Sequence, residues 1–450
     1  MSYFQQKLDR QFTSAFDLLS RLKDLTGLVF LQDNSAPIIG FLPKKFLILQ
    51  NSSSIQFTQS RLNQYQQINH STSILDFAKF NLTTDDKKST LSFHGGYIGF
   101  FSYDFSANQF IKVHSHQQPS FFLGEYSTFL KFEKNAWYFY SDDHEAASIY
   151  QYLSDLINQP LKTEQDRLLL IEEFSPRWSK QEYLNSFNQV QEYIKAGDCY
   201  QINLTQEFSA RSQGSVLSRA QDLWELTHAP YAGYLKMNDF ELLSCSPELF
   251  IEFQNDRKIK TRPIKGTMPR FDDAEQDRIS KAKLRNSQKD QAENVMIVDL
   301  LRNDLSVYAE TGSVNTTKLF EIESFNQVHH MVSEITATLK EQVNPMQMLL
   351  SALPGGSITG APKIRAMQII EELEGAPRGA YCGSLGYFNF DGTGCWNILI
   401  RSIQKYQDEL SIWAGGGITI ASDAEAEYQE CFDKISAMLD LFNTWQINKH

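Results

Sequence analysis

The stretch from Gln291 to Leu301 most restricts what this chain can fold into. Val295, Met296, Ile297, Val298, Leu300 and Leu301 set apolar side chains almost all round a helix. A helix of that kind is predicted to be buried, so other layers must wrap it. Charged groups on it then need partners: Glu293, Asp299, Arg302 and Asp304 can pair with one another, and Asp299 with Arg302 is the favoured pairing.

The surrounding layers are predicted to be strands. Leu28–Leu31, Phe46–Leu49, Gly96–Phe101 and Ala136–Tyr140 are short apolar runs between polar or proline-containing turns, so residues 1–152 form a β-rich region. Residues 153–178 are more polar and carry Pro160 and Pro176, which marks a connecting helix and linker. From 179 to 450 the pattern changes. Ser179-Lys180-Gln181-Glu182 is a capping-box signature, Leu184, Phe187, Val190 and Ile194 recur at helical spacing, and Gly197 stops the helix. A strand begins at Tyr200, where Ile202 and Leu204 alternate with Gln201, Asn203 and Thr205, giving one apolar face and one of amides and a hydroxyl.

The best candidate nucleophile is Lys265 in Pro263-Ile264-Lys265-Gly266-Thr267. A lysine of ordinary pKa is neutral in only about four molecules per ten thousand at pH 7, and each unit of depression costs about 1.4 kcal/mol. Attack therefore requires burial or a neighbouring cation. The pentapeptide alone also suits a solvated turn lysine. Ser244-Cys245-Ser246-Pro247-Glu248 precedes it, and the strand-like Leu249–Phe253 lies between. A hairpin-like return would bring the Glu248 carboxyl and the Lys265 amine to one end of a sheet, a pairing suited to acid and nucleophile.

Four further segments can bind an anion or a metal. Gly360-Ala361-Pro362-Lys363, preceded by Gly355 and Gly356, opens a helix whose backbone N–H groups can face a carboxylate; its spacing is not that of a P-loop. Gly415-Gly416-Gly417 follows the strand Leu410–Trp413, which suggests close backbone approach to a ligand. Arg401 ends a predicted strand, Ile398-Leu399-Ile400, placing a guanidinium where it can grip a carboxylate. A helix over about 423–442 sets Glu427, Glu430 and Lys434 on one face; by spacing alone this also fits a solvated stripe with a Glu–Lys pair.

Together, Gly197–Leu204, Ser244–Glu248, Thr261–Thr267, Gly355–Lys363 and Ala414–Ile418 resemble the chorismate-utilising enzymes, strongly from about Ser179 to Leu441. The resemblance implies an α+β fold, with two large antiparallel β-sheets packed as a sandwich, helices outside and a cleft in residues 179–450 that are intertwined with the N-terminal region. It also implies Glu293 and Glu430 as magnesium ligands. Substrate contacts would come from Gly266, Thr267, His330, Ser357, Tyr381, Arg401, Gly415, Gly416, Gly417 and Lys434. Family members resembling anthranilate synthase carry alanine at the Lys265 position, whereas a lysine there can add to the ring at C2 and be displaced after ammonia enters at C4. The chain sits nearest the members that make 4-amino-4-deoxychorismate for 4-aminobenzoate and folate, with Glu248 protonating the departing hydroxyl. No segment resembles a glutaminase, so ammonia would come from a glutamine amidotransferase subunit.

Isochorismate or salicylate synthesis, with lysine activating water, is the enzymatic alternative, beside anthranilate-type amination. A tryptophan-binding regulatory protein is the non-enzymatic one. Relatives hold tryptophan in the N-terminal sandwich; here Pro230-Tyr231-Ala232 matches one contact segment and Ser35, in Gln32-Asp33-Asn34-Ser35, stands loosely for the other. One departure is Cys395, where relatives commonly have an acidic residue.

Net charge of −12 opposes nucleic acid and anionic membranes, so a dianionic substrate needs locally positive groups. No apolar run approaches a membrane span, and the N-terminus lacks a signal pattern, which predicts a cytoplasmic protein. Five cysteines without a Cys-x-x-Cys pair indicate neither a disulfide framework nor a zinc site.

Overall fold

The structure, a computed structural model, describes residues 3–447 apart from 13, 34–35, 51–52, 69–71, 83–90, 161–165 and 326–327. Among the described residues, two antiparallel sheets of 13 and 12 strands dominate, and helices cover them. The first sheet runs from Phe4–Lys7 through Ala136–Ser141, Thr128–Glu133, Ile38–Gly40 and Val29–Leu31. It continues into Tyr231–Met237, Phe240–Ser246, Ser402–Tyr406, Glu409–Ile418 and Gln201–Gln213. The second joins Ile264–Pro269, Val328–Thr338, Lys258–Arg262, Leu249–Phe253, Gly394–Asn397 and Ser384–Asn389 to Gly96–Phe101, Phe121–Tyr126 and Lys45–Gln50. Each sheet therefore mixes strands from residues 1–152 with strands from 179–450. Gly233 pairs with Leu31 in one sheet and Leu385 with Phe100 in the other.

Alternation explains most of these strands. In Gln201–Gln213, Ile202 and Leu204 are fully buried in the hydrophobic core. Gln201, Asn203 and Thr205, on the opposite face, are buried too, because the Lys363–Glu374 helix and its approach cover them. The preceding helix, Lys180–Ala196, carries the full capping box between Ser179 and Glu182 and ends at Gly197 with φ of 82°, the left-handed conformation glycine tolerates best.

Four expectations need correction. The Gln288–Ser306 helix buries Asn294, Ile297, Val298, Leu301 and Leu305, but Val295 is 42% exposed, so the helix has a solvent face despite its apolar sequence. Asp299 and Arg302 do pair, at 2.9 Å, on that exposed side, while Asp304 pairs with Lys363 at 2.7 Å. The single helix expected over 423–442 is two, Ala424–Asp433 and Ser436–Asn443, broken at Lys434-Ile435. Residues 153–178 are less linker-like than their polarity suggests: the helix begins at Ala146, and Leu169–Leu170 and Ser175–Pro176 pair with the strand Gln201–Gln213. Finally, Ile398–Ile400 is no strand. It is the crossing by which the chain leaves the second sheet after Asn397 and re-enters the first at Ser402, and Arg401 turns there with φ of 49°.

Candidate active site

Two sheet-to-sheet crossings build the site. The first is Pro247-Glu248, between Phe240–Ser246 in one sheet and Leu249–Phe253 in the other; the second is Ile398–Arg401. A crossing leaves the strand ladder, so its backbone groups need other partners. Here the crossings bond each other: Ile398 N–H donates to the Glu248 carbonyl at 3.1 Å, and Cys245 N–H to the Arg401 carbonyl at 3.1 Å. Glu248 and Arg401 are thereby fixed side by side at the mouth between the sheets.

They open onto a cavity of about 410 Å³. Its lining includes Glu248, Lys265, Gly266, Thr267, Glu293, His330, Ser357, Tyr381, Arg401, Gly415, Gly417, Glu430 and Lys434, all singled out from the sequence. Asn203, Lys289, Asp290 and Trp413 also line it, and these were not. Asn203 had a signal in the polar face of its strand. Lys289 and Asp290 had none, since their helix reads as apolar filler rather than as a cavity wall. Gly416 is absent from the lining: a side chain there would lie 2.7 Å from Glu427 Oε2 and 3.0 Å from Glu430 Oε1, so this glycine makes room for two carboxylates. The residues Gly360 to Lys363 also stay outside; Ser357 and Ile358, in the turn before them, face the cavity instead.

Ser357 holds both proposed reacting groups. Its carbonyl accepts from Lys265 Nζ at 3.3 Å, and its hydroxyl donates to Glu248 Oε1 at 3.4 Å. Glu248 is 6% exposed, and burial pushes its carboxyl up to about 7 against the opposing pull of Lys265 and the Ser357 hydrogen bond. Lys265 moves the other way: burial lowers its proton affinity, partly countered by the negative charges of Glu248 and Glu293. His330 shares a 2.8 Å hydrogen bond with Thr267 and is held down to about 4 by burial, then by Arg401 and His329, so it is a neutral imidazole. Lys434 donates to the Gly415 carbonyl at 2.7 Å and pairs with Glu430 at 2.6 Å.

Glu293, Glu427 and Glu430 converge beside this group. Glu293 Oε1 and Glu427 Oε2 are buried with no hydrogen-bond partner. Lys289 Nζ, the cation that approaches both, stays 3.9 Å from Glu293 and 3.8 Å from Glu427. Burial raises the proton affinity of both carboxyls. Unsatisfied buried carboxylate oxygens over a glycine fit a hard divalent cation. Among the described residues no three His, Cys, Asp or Glu side chains form a closed ligand set. Glu427 was grouped with Glu430 by spacing, but its place at the carboxylate cluster was not anticipated.

A second cavity, of about 170 Å³, is lined by Tyr231 and Ala232 with Gln32, Asp33, Glu252, Leu385, Tyr387 and Asn397. Pro230 lies just before this wall, at the start of Tyr231–Met237, and Ser35 falls outside the described residues. Cys395 lines this second cavity and not the first, so the expectation that it forms part of the active-site wall is not met.

A family model described as chorismate binding enzyme matches residues 30–440. Aminodeoxychorismate synthase component 1 of Salmonella typhimurium is 42% identical over 355 residues, covering 78% of this chain and 77% of that protein. Its namesake in Escherichia coli is 46% identical over 275 residues, 61% of this chain and 60% of that one. Among solved structures, anthranilate synthase component I from Streptococcus pneumoniae superposes with a TM-score of 0.77 at 29% identity, over 90% of this chain and 92% of that one.

Proposed function

The chain belongs to the chorismate-binding enzymes, and from that premise we propose that it is an aminodeoxychorismate synthase component 1, converting chorismate and ammonia to 4-amino-4-deoxychorismate on the route to folate. The observation that carries the chemistry is one cavity in which burial lowers the proton affinity of an amine and raises that of a carboxyl, both tied to Ser357. Neutral Lys265 and protonated Glu248 are the forms that nucleophile and acid require.

Arg401 and Lys434 supply the positive charge that the acidic chain needs locally for a dianionic substrate. The Lys265 nitrogen bonds to ring carbon C2, both ring double bonds shift (C1=C2 to C1=C6 and C5=C6 to C4=C5), and the C4 hydroxyl leaves as water with the Glu248 proton. Ammonia then bonds to C4, both double bonds shift back, and the C2–N bond breaks to free Lys265. The proton shed by the new ammonium returns to Glu248, so the enzyme ends as it began. Neutral His330, anchored by Thr267, offers the substrate a hydrogen bond without adding charge. Glu293 and Glu430 would hold magnesium, with Glu427 beside them, and magnesium when bound offsets the charge of a substrate carboxylate.

The component 1 name of the relatives supports a second component, which we take to be a glutamine amidotransferase supplying ammonia. The proposed setting is the cytoplasm; among the described residues no helix is long and apolar enough to cross a membrane. The second cavity supports binding of an aromatic amine such as tryptophan, with Tyr231 and Tyr387 as walls and Asp33 and Glu252 answering an ammonium group. Titration calorimetry with tryptophan tests this, and absence of heat would remove it. The reaction is tested by incubating the protein with chorismate, magnesium and ammonium. The expected product is 4-amino-4-deoxychorismate by mass; isochorismate, an isomer of chorismate separated from it by chromatography, formed with or without ammonium would replace the proposal with the alternative in which lysine activates water for addition at C2.

A further inference from the structure

Behind the Ser357 turn lies an ion pair that the reaction scheme does not use. Arg378 and Glu374 are each 1% exposed and bond through two contacts, Nε to Oε2 at 2.8 Å and Nη2 to Oε1 at 2.7 Å. The guanidinium also donates to the Ile358 carbonyl at 3.2 Å and the Asn203 carbonyl at 2.7 Å. Glu374 in turn accepts from the Thr205 N–H and hydroxyl at 2.9 and 2.8 Å. The Arg378 backbone is fixed separately, because Asp104 accepts from the N–H groups of Arg378 and Gly379 at 3.0 and 2.9 Å. Fold stability alone does not require such a group, since apolar residues often replace a buried ion pair without loss.

What the pair touches is specific. Ile358 and Asn203 both line the cavity, and Ile358 directly follows Ser357. The Ile358 carbonyl takes two donors, Arg378 Nη1 and Asn203 Nδ2 at 3.0 Å. We propose that Arg378 is a positioning residue: by pinning the Ile358 carbonyl it fixes the Ser357 turn, which in turn sets the Lys265 amine and the Glu248 carboxyl relative to the substrate. This inference rests on the reading of Lys265 and Glu248 as nucleophile and acid.

The consequence for titration follows from the two Ser357 contacts. A hydroxyl donated to Glu248 favours its carboxylate, and a carbonyl accepting from Lys265 favours its ammonium. Releasing the turn therefore raises the affinity of Glu248 for its proton and lowers that of Lys265. Glu248 is faced by Lys265 and Lys434, and Lys265 by Glu248, Glu293, Glu430 and Lys434. None of these bonds to Arg378, which meets the cavity lining at the Ile358 and Asn203 carbonyls and lies 5.9 Å from the Tyr381 ring.

The experiment uses the full chain with the double substitution Arg378→Met and Glu374→Leu, which removes both charges, and Arg378→Lys, which keeps the charge but loses the fork. Should the double variant fail to fold, Glu374→Gln serves in its place. Near-ultraviolet circular dichroism measures folding, and 4-amino-4-deoxychorismate formation is followed against pH. Expected is a native-like spectrum with kcat at least about tenfold lower, KM for chorismate changed by less than about threefold, and both limbs of the kcat profile displaced from their wild-type positions. Activity equal to wild type, or a loss that follows the folded fraction with both limbs unmoved, overturns the assignment. A wild-type protein that makes no 4-amino-4-deoxychorismate sinks the underlying reading instead.

Discussion

A carboxyl buried beside an amine has a measurable cost even when no substrate is present, and Glu248 shows its sign. Its proton affinity in the folded chain is raised to about 7, above the ordinary value of about 4.3. Its contribution is therefore fully present below about pH 4.3 and is lost as pH rises through 7. Glu248→Gln, which has nothing to ionise, should match the wild type in urea unfolding at pH 4 and exceed it at pH 8, by a difference on the order of 3 kcal/mol. The same variant should lower kcat by about 10² to 10⁴, the usual share of a general acid. A stability gap that closes rather than opens with rising pH would contradict the assignment of a buried acid. At this scale the sequence pointed to Lys265 only through the segments around it, since its pentapeptide alone also suits a solvated turn lysine. It was silent on Asp290, which lies against Gly266 where a side chain would meet its carboxylate at 2.9 Å. No local pattern reports that a residue far along the chain covers a glycine.

Elements place these residues in two ways, by crossing between sheets and by breaking helices. The capping box and the left-handed Gly197 were legible because helix ends are written in neighbouring residues. Gly197→Ala should cost roughly 1 to 2 kcal/mol in unfolding free energy from backbone strain alone, with kcat unchanged, because the added methyl meets open space. The crossing at Ile398–Arg401 was misread as a strand because its composition is β-like; only its place between the sheets makes it a turn. The break at Lys434-Ile435 was equally hidden, since an amphipathic pattern runs across it. The strand Glu409–Ile418 gives a sharper test. Gly416→Ala puts a methyl against Glu427 and Glu430 and should raise the magnesium needed for half-maximal activity by about tenfold, with direct magnesium calorimetry weakened in parallel. Unchanged magnesium binding would separate these carboxylates from the metal.

The whole molecule is one folding unit because neither sheet can be completed by either half of the sequence. Val29–Leu31 lies against Tyr231–Met237, and Gly96–Phe101 against Ser384–Asn389. Residues 179–450 expressed alone should therefore lack a cooperative unfolding transition, while the full chain shows one; calorimetry of both distinguishes this from two independent domains. Strand positions in residues 1–152 were readable from composition, but their partners lie hundreds of residues away, and no local periodicity encodes that pairing. Family resemblance supplied the topology that periodicity could not. The sheets matter because they bring the bulged strand Ile264–Pro269 with Lys265, the Glu248 crossing and the acidic helices to one cavity; the turn expected around Lys265 is part of this strand. The measurement that tests this most directly is the mass of the intact protein after incubation with chorismate and magnesium, with ammonia withheld. The account predicts a species heavier by chorismate less one water, located by peptide mapping on Lys265 and absent from Lys265→Ala. A protein of unchanged mass, together with full ammonia-dependent activity in Lys265→Ala, would contradict it.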